Sequence, residues 1–509
     1  MYFNPIRMPA NDGPGYVGSR PAYIIMPTFR NALRGTVFVR RCTARTERRK
    51  LLSGRPFPSV SRKNGTIAGS IRSSMGFSEM LEKVFVVVAL LLFAGAVLPL
   101  LQLRQPAGLT GAQEGGDLLS QLAFLGIYTV SALLILPRWR GVVYLVKRNK
   151  ALVFLVGIAL LSVLWSVSPE ITLLRVLAVV GTTLFGAYFA TRYSLDQQLQ
   201  LLACAIGLAA VLSLVVALTM PYYGVQHEVY NPSLPEVSVD GWRGIFAHKN
   251  TLGRLMVLGA IVFLLLALGG RRFRPIAWSG FILSIVLLLL SNSITALFVF
   301  LIFLILLPLC WSLRWRYTLM IPFFITIVLL GGGALVWLLS HAESILGMLG
   351  KDTTLTGRTG LWSAVIDMIW QRPLLGYGYS GFWLGWEGES SYVWRVAGVK
   401  AVQAHNGFLE LWLNLGLLGV LAFSALFLLS FLRAIAWARW TQTVRGFWPL
   451  FYLEFMLLFS LTENTILSRN SIFWVLFVSI VFSTTVQQVH ERRKKHVIRL
   501  RSKVRATHG

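Results

Sequence analysis

The chain has 509 residues, of which 55% are hydrophobic and 13% are charged, and its formal net charge is +28. Soluble domains average about 45–50% apolar and about 25% charged residues, so this composition excludes a soluble protein of this length. The basic residues cluster in the first 75 positions, between apolar segments and after His490. Charge at these places orients a membrane protein and attracts anionic lipid. We therefore predict membrane lipid, and no nucleic acid, as the partner of this charge.

Apolar segments of about 20 residues, each long enough to cross about 30 Å of hydrocarbon, recur from residue 83 to residue 489. The sequence therefore predicts an all-α polytopic membrane protein with about twelve transmembrane helices, the first nine within 83–339 and the others within 406–489. The predicted spans are 83–103, 118–136, 151–167, 171–190, 198–219, 250–268, 276–291, 294–310, 318–339, 406–432, 447–467 and 471–489.

The distribution of Lys and Arg supports this topology independently. If the N-terminus is cytoplasmic, every predicted inner loop is basic, whereas the first two predicted outer loops have no basic excess. Both termini are then predicted to be cytoplasmic. The basic residues of the predicted inner loops are Arg138, Arg140, Lys147, Arg148, Arg192, Arg271, Arg272, Arg274, Arg314, Arg316, Arg433, Arg439 and Arg445.

The two ends of the chain are basic segments outside the predicted spans. Residues 1–75 are rich in Arg, Gly, Pro and Ser and lack the apolar core and cleavage site of a secretory signal, so we predict a disordered leader. One hypothesis is that translation begins at Met75, directly before the first span; the alternative is a basic cytoplasmic arm. Residues 490–509 are predicted to form a basic cytoplasmic tail. Cys42, Cys204 and Cys310 suggest neither a disulfide framework nor a metal cluster.

Two predicted outer segments, 221–249 and 340–405, are much longer than a helical bundle needs, and long ordered loops usually carry function. Within the second segment, apolar residues at helical spacing predict a surface helix with one apolar face, which ends at Gln371-Arg372-Pro373. The following Gly376-Tyr377-Gly378-Tyr379 predicts turns. The residues of the apolar face are Leu361, Trp362, Val365, Ile366, Ile369 and Trp370.

The first candidate motif, Gly241-Trp242-Arg243-Gly244-Ile245-Phe246-Ala247-His248-Lys249-Asn250, leads directly into the sixth span. Asn250 or Thr251 is predicted to cap that helix, whose free N–H groups favour a bound anion. Arg243, His248, Lys249 and Arg254 would surround the same helix end. The alternative is a capped helix whose charges reach toward lipid headgroups.

The second motif, Leu355-Thr356-Gly357-Arg358-Thr359-Gly360, places an Arg at a predicted helix start. Its guanidinium fork could bind phosphate or carboxylate oxygens, and the alternative is a turn with a solvent-facing Arg. In the third motif, Ala404-His405-Asn406-Gly407-Phe408-Leu409-Glu410, Asn406 is a predicted N-cap. His405 titrates near neutrality and could position or deprotonate an attacking hydroxyl, and the alternative is a structural His at the membrane boundary.

All three motifs lie at the predicted outer face, where Arg175, Arg254 and Glu410 also approach span ends. Charges in a membrane are costly and indicate function by default, although Glu454, near an inner end, does not fit this site. Neither a phosphate-binding Gly-Lys-Ser/Thr loop nor a paired metal-ligand His motif occurs in the sequence. Glu387-Gly388-Glu389, the only outward carboxylate pair with the spacing of a sugar-nucleotide metal site, is interpreted as a solvated loop, so we expect no metal and no cofactor.

These motifs, in this order and on this topology, resemble the Wzy-type O-antigen polymerase and O-antigen ligase superfamily. Residues 243–250 and 404–410 are most similar to the ExoQ-type exopolysaccharide polymerases, and residues 165–170 and 291–295 add to the resemblance. It covers about residues 80–490 and leaves the leader outside. The resemblance implies a GT-C-like glycosyltransferase embedded in the bacterial inner membrane.

The reaction implied by the resemblance is metal-independent and inverting. The donor is an oligosaccharide on polyprenyl diphosphate, a hydroxyl of the acceptor attacks its anomeric carbon, and polyprenyl diphosphate leaves. By the resemblance, Arg243 and Arg358 stabilise the leaving diphosphate and His405 acts on the acceptor hydroxyl, with less defined roles for His248 and Lys249. A flippase and chain-length-control proteins are the accessory partners it suggests.

Two alternatives remain open from the sequence. O-antigen ligases and protein O-oligosaccharyltransferases share this architecture and differ mainly in the acceptor. A transporter or flippase for a lipid-linked glycan belongs to another class, and about twelve spans suit it. No internal repeat is evident, however, and charges gathered at one face favour surface chemistry over a transmembrane path.

Overall fold

The structure, a computed structural model, describes residues 67–96, 118–226, 241–271, 273–340 and 358–486. The chain divides into two compact units, Met1–Ser70 and Ile71–Gly509. Of the first unit only residues 67–70 are described, as the beginning of the first helix. Most of the predicted leader, residues 97–103 of the first predicted span and the predicted basic tail lie outside the described residues.

Each predicted span contains a helix. The α-helices are α1 Ile67–Phe93, α2 Leu118–Ile135, α3 Trp139–Arg148, α4 Lys150–Leu161, α5 Pro169–Arg192, α6 Leu195–Thr219, α7 Lys249–Gly269, α8 Arg274–Leu290, α9 Ile294–Ser312, α10 Tyr317–Ser340, α11 Arg358–Gln371, α12 Ser390–Ala397, α13 Gly407–Trp440, α14 Trp448–Ser460 and α15 Ile472–Val486. Single helical turns occur at Leu136–Arg138, Ser162–Leu164, Pro221–Gly224, Gly385–Glu387 and Val444–Phe447. The strands β1 Val225–Gln226 and β2 Gly241–Trp242 pair antiparallel.

Six helical segments among the described residues are long and apolar enough to cross a membrane, and shorter apolar helices accompany them. The prediction of an all-α polytopic membrane protein is confirmed. Helix α7 is the most enclosed of the six and packs against α6, α8, α9 and α14. Its position matters because its first turns carry Lys249, Asn250 and Arg254.

Three boundaries differ from the prediction. Helix α1 begins at Ile67, inside the predicted leader. The predicted inner loop after the second span folds into α3, whose last turn carries Lys147 and Arg148. Helix α14 ends at Ser460, although hydropathy predicted a span to residue 467. The segment after Ser460 is apolar enough to extend a span, but it forms turns and places Thr462 and Glu463 in a loop.

The long loop before α13 has an apolar core of its own. Helix α11 ends at Gln371 as predicted, and its buried side chains pack with residues that follow α11 and with one residue of α13. Ile366 and Trp370 were predicted on the apolar face, but they are 40% and 67% exposed, so this face is narrower than expected. The buried residues of the loop core are Leu361, Ala364, Val365, Met368, Ile369, Tyr377, Phe382, Trp383, Val393, Ala401, Ala404 and Leu413.

Helix α13 is broken at Gly416, whose φ of 65° and ψ of −169° are not helical. The loop backbone fills the break: the Leu417 N–H donates to the Pro373 carbonyl at 2.8 Å, and the Tyr377 N–H donates to the Leu413 carbonyl at 2.9 Å. A Cβ at position 416 would collide with the backbone of Leu374. Glycine is therefore required where the loop and helix α13 meet.

Candidate active site

The loop after α14 places one carboxylate beside residues from two of the predicted motifs. The Arg358 Nη1 atom donates to the Thr462 carbonyl at 2.7 Å, and its Nη2 atom donates to Glu463 Oε1 at 3.4 Å. The Nδ1 atom of His405 lies 3.7 Å from Glu463 Oε2. Only 12% of the Glu463 side chain is exposed. The second and third motifs therefore meet at a carboxylate that was not among the candidates.

Helix α7 contributes Arg254 to the electrostatic surroundings of Glu463. Burial alone would raise the pKa of the Glu463 carboxyl, but a contact with His405 and the charges of Arg254, His405 and Arg358 outweigh this effect. The pKa of Glu463 is therefore held below its ordinary value. An ionised Glu463 compensates part of the positive charge of this cluster.

Three buried polar atoms of this cluster have no hydrogen-bond partner: Arg254 Nε, His405 Nδ1 and Asn464 Oδ1. The Arg254 guanidinium lies over the ring of Phe473, 4.5 Å from its centroid. Unpartnered buried polar groups are costly and uncommon in folded proteins. Their concentration around Glu463 indicates a site for a polar ligand.

His405 is held in place by the cap of α13. Asn406 Oδ1 accepts hydrogen bonds from the Phe408 and Leu409 N–H groups at 3.0 and 3.2 Å, which confirms the predicted N-cap. Asn406 Nδ2 also donates to the Leu461 carbonyl at 3.1 Å. His405, directly before the cap, has a positive φ of 48°. The cap therefore joins the backbone next to His405 to the loop that carries Glu463.

Glu410, a functional candidate because it lies near a span end, holds the long loop. Its carboxylate is buried and accepts from Trp383 Nε1 at 3.1 Å, from the Ala404 N–H at 2.8 Å and from Asn414 Nδ2 at 3.3 Å. Ala404 directly precedes His405. Glu410 therefore acts on the site through the backbone, since it fixes the segment that leads into His405.

Arg175 and the segment 165–170 also position the long loop. Arg175 Nη1 donates to the Ser380 carbonyl at 2.5 Å. The Trp165 indole donates to the Leu375 carbonyl at 3.0 Å, and the Val167 N–H donates to the Tyr377 carbonyl at 3.1 Å. These contacts attach the segment 165–170 to the Gly/Tyr turns of the long loop, which is a structural role.

The first motif forms a separate arrangement at the start of α7. Arg243 Nε donates to the Tyr223 carbonyl at 2.7 Å. His248 is the N-cap, since its Nδ1 atom accepts from the Asn250 N–H at 3.2 Å. The prediction that Asn250 or Thr251 caps this helix is wrong, because the chain becomes helical already at Lys249. The Lys249 N–H donates to Gln226 Oε1 at 2.9 Å, which ties the helix end to β1.

The structure thus joins Arg254, Arg358, His405 and Asn406 around the loop 461–464. Within the described residues, no side-chain hydrogen bond or ion pair links Arg243 to Glu463. The missed residue, Glu463, stands near the outer end of the predicted span 447–467, and the criterion that selected Glu410 would have found it. Glu454, in the same predicted span, is separate and accepts from Cys310 Sγ at 2.7 Å.

The carboxylates Glu387 and Glu389 lie in the long loop, at a single helical turn and before α12 respectively. Glu387 is exposed. In the described ranges, no three His, Cys, Asp or Glu side chains come together in a way that could hold a metal ion.

Comparison with known proteins bears on the same region. Residues 279–424, which include Arg358, His405 and Asn406, match the family model described as O-Antigen ligase. This region, called here the O-antigen ligase region, is therefore similar to the O-antigen ligase family. The chain is also similar to the Exopolysaccharide production protein ExoQ of Rhizobium meliloti (strain 1021), with 32% identity over 203 residues. That similarity covers 37% of this chain and 45% of the relative, so the chain spans less than half the length of the relative it matches.

Both findings confirm the resemblance inferred from the motifs. Together with the apolar helices, they identify a multi-pass membrane protein. The O-antigen ligase region ends before Glu463 and begins after Arg243 and Arg254. The cluster around Glu463 therefore combines Arg358, His405 and Asn406, inside the matched region, with Arg254 and Glu463, outside it.

Proposed function

We propose that the protein polymerises oligosaccharide repeat units carried on polyprenyl diphosphate into an exopolysaccharide or O-antigen, at the outer face of the bacterial inner membrane. The observation that carries the proposal is the convergence of Arg254, Arg358 and His405 on Glu463. This cluster contains cations that could bind a diphosphate and a His that could act on a sugar hydroxyl. The similarity to an exopolysaccharide production protein favours polymer synthesis.

In the proposed reaction, a hydroxyl oxygen of the acceptor sugar attacks the anomeric carbon of the donor sugar. The new glycosidic bond forms as the bond from that carbon to the diphosphate oxygen breaks. The hydroxyl proton passes to His405, and polyprenyl diphosphate leaves with the electron pair. A single displacement of this kind inverts the anomeric configuration. The diphosphate linkage supplies the free energy, so the reaction consumes no nucleotide, and in this proposal arginines take the place of a metal ion at the leaving diphosphate.

His405 is suited to receive this proton. Its Nδ1 atom faces Glu463 Oε2, so Nε2 is the atom left for the acceptor hydroxyl. A carboxylate that faces one nitrogen of an imidazole orients the ring and stabilises the imidazolium that forms. The side chain is 34% exposed, which leaves it accessible to a substrate. Glu463 is a positioning residue in this scheme.

The arginines balance the charge that develops on the leaving diphosphate. Arg254 is the strongest candidate for direct contact, because its buried Nε atom has no acceptor. Arg358 is fixed by Thr462 and Glu463, so its orientation is set before a substrate binds. Preorganised donors of this kind stabilise a transition state without reorganisation. Arg243, His248, Lys249, Asn250 and Asn406 are proposed as further contacts to the substrate.

A deletion strain tests the proposal when the surface glycan and the lipid-linked intermediates are analysed together. Loss of long polysaccharide, with single lipid-linked repeat units on the outer leaflet, is the expected result. Finished polymer left on its lipid carrier would identify a ligase instead. Repeat units trapped on the inner leaflet would identify a transporter or flippase.

Complementation with variants then tests the site. Arg254→Gln, Arg358→Gln and His405→Gln, each matched to the wild type in membrane abundance, should fail to restore long polymer. Arg395→Gln is the control, because Arg395 is an exposed residue of the same loop whose Nε atom contacts only the Ser391 carbonyl. Full synthesis by all three site variants would reject the cluster as the active site.

A further inference from the structure

A second cationic site lies at the other end of α13. His405 and Asn406 precede the first residue of this helix, whereas Arg433 is in its last two turns. Arg433 lines a cavity of about 300 Å³ between α13 and the junction of α3 and α4. The residues around this cavity are Lys147, Arg148, Asn149, Lys150, Ala151, Leu426, Leu429 and Arg433. This composition combines four cations with apolar side chains.

The cavity is built by specific contacts. Arg433 Nη1 donates to Asn149 Oδ1 at 2.8 Å and to Thr485 Oγ1 at 3.0 Å. The buried Asn149 also donates from Nδ2 to the Leu145 carbonyl at 2.9 Å. These bonds fix one guanidinium at the wall of the cavity and tie α13 to the α3–α4 junction. The position of Arg433 is therefore set by the fold.

The charge of this cavity has no acidic counterpart in the part of the chain that the structure describes. Among the described residues, no carboxylate forms an ion pair with Lys147, Arg148, Lys150 or Arg433. Like charges gathered this closely repel one another unless an anion lies between them. The site therefore favours a ligand with a compact negative charge.

An apolar groove of about 830 Å³ continues from the cavity. It shares Lys147, Lys150 and Ala151 with the cavity, and Val146, Val153 and Phe154 complete its lining. Val153 and Phe154 are 46% and 54% exposed. A charged cavity that opens into an exposed apolar groove matches a molecule with an anionic head and a hydrocarbon tail.

We propose that this site binds one anionic phospholipid. Its phosphate occupies the cavity beside Arg433, and an acyl chain lies along the groove beside Phe154. Helix α3 supports this arrangement, because Trp139 and Tyr144, which are 54% and 39% exposed, suit the interfacial layer of a bilayer. The bound lipid would hold α3 and α4 against α13.

Native mass spectrometry of the full-length purified protein with added phosphatidylglycerol or phosphatidylcholine tests this proposal. Wild type should retain one phosphatidylglycerol in preference to phosphatidylcholine. The double variant Lys147→Gln/Lys150→Gln should bind phosphatidylglycerol about 30-fold more weakly, since each cation contributes about 1 kcal/mol near an anionic lipid surface. The matched control Arg271→Gln/Arg316→Gln removes the same charge from exposed positions that do not line the cavity and should bind like the wild type.

Four results would overturn the proposal. Equal losses in both double variants would indicate a general charge effect, and an unchanged affinity in the cavity variant would remove the cavity from the binding site. Equal retention of phosphatidylcholine would mean that the apolar groove alone, without the charged cavity, determines lipid binding. Displacement of the lipid by inorganic phosphate would indicate a soluble anion as the ligand. Circular dichroism and thermal melting of both double variants control for misfolding.

Discussion

The Nδ1 atom of His405 lies 3.7 Å from Oε2 of Glu463, which joins two loops that are separated in the chain by α13 and α14. This distance is longer than a hydrogen bond, and the buried Nδ1 atom has no hydrogen-bond partner. In apo enzymes such contacts are often long and shorten when the substrate binds. This contact therefore connects His405, at the capped end of α13, to the carboxylate that also interacts with Arg254 and Arg358.

Replacement of Glu463 by Gln should impair catalysis more than folding. The amide keeps the size of the side chain but removes the charge that orients His405 and neutralises the two arginines. We expect the rate of polymer formation from lipid-linked repeat units by the purified protein to fall about 100-fold, at the lower end of the effect of a general base. The pH profile of the rate should also change, since the imidazolium is no longer stabilised.

The matched control for this experiment is Glu387→Gln, because Glu387 is an exposed carboxylate of the long loop. Its rate should equal that of the wild type. The conservative variant Glu463→Asp should recover part of the activity. An unaltered rate and pH profile in Glu463→Gln would contradict a role for the carboxylate in positioning His405.

Glu463 should also give the protein a specific sensitivity to acid. Because the pKa of this carboxyl is lowered in the folded state, its ionised form stabilises the fold above the unfolded pKa of about 4.3. This stabilisation is lost as the pH falls through the lower, folded-state pKa. The difference in Tm between wild type and Glu463→Gln should thus shrink as the pH falls below about pH 4.

Tryptophan fluorescence during heating, recorded at each pH for both proteins in the same detergent, measures this difference. Titration of groups remote from Glu463 affects both proteins alike and cancels in the comparison. A Tm difference that grew as the pH fell below about pH 4 would contradict the assigned direction of the pKa shift.

Asn406→Ala should destabilise the protein through two separate losses. The variant removes the acceptor for the Phe408 and Leu409 N–H groups and the donor to the Leu461 carbonyl. Loss of an N-cap costs about 1 kcal/mol, and loss of a further hydrogen bond about 1 kcal/mol. Asn406→Ser should be intermediate, because Ser can cap the helix but cannot reach Leu461 in the same way.

Asn250→Ala is a close control for the cap variant. The sequence predicted both Asn residues as caps, but only the backbone N–H of Asn250 takes part in the cap of α7. The free energy of unfolding of this variant, measured by thermal unfolding, should differ from that of the wild type by less than about 0.5 kcal/mol. If the two Asn→Ala variants were equally destabilised, the assignment of His248 as the cap would be wrong.

The contrast between Asn406 and Asn250 shows what the sequence could establish. Local signals sufficed for a helix in each predicted span, for the end of α11 at Gln371 and for the cap at Asn406, because hydropathy, proline and capping residues act over a few positions. Glu463 lay within an apolar segment and was assigned to a span. Its partners come from α7, α11 and the loop before α13, and contacts this distant in sequence follow only from the packing of the bundle.

Gly416→Ala should be the most destabilising of these substitutions. Gly416 has a backbone conformation that other residues rarely adopt, at a cost of about 1–3 kcal/mol, and a Cβ would also collide with Leu374. The collision would separate the long loop from α13, so we expect poor recovery of folded protein and loss of activity. Gly360→Ala is the control, since no atom lies within 4 Å of a Cβ at that position and Ala favours a helix by up to about 1 kcal/mol. Thermal unfolding and membrane yield measure both variants, and a Gly416→Ala protein as stable as Gly360→Ala would show that the loop does not require the break in α13.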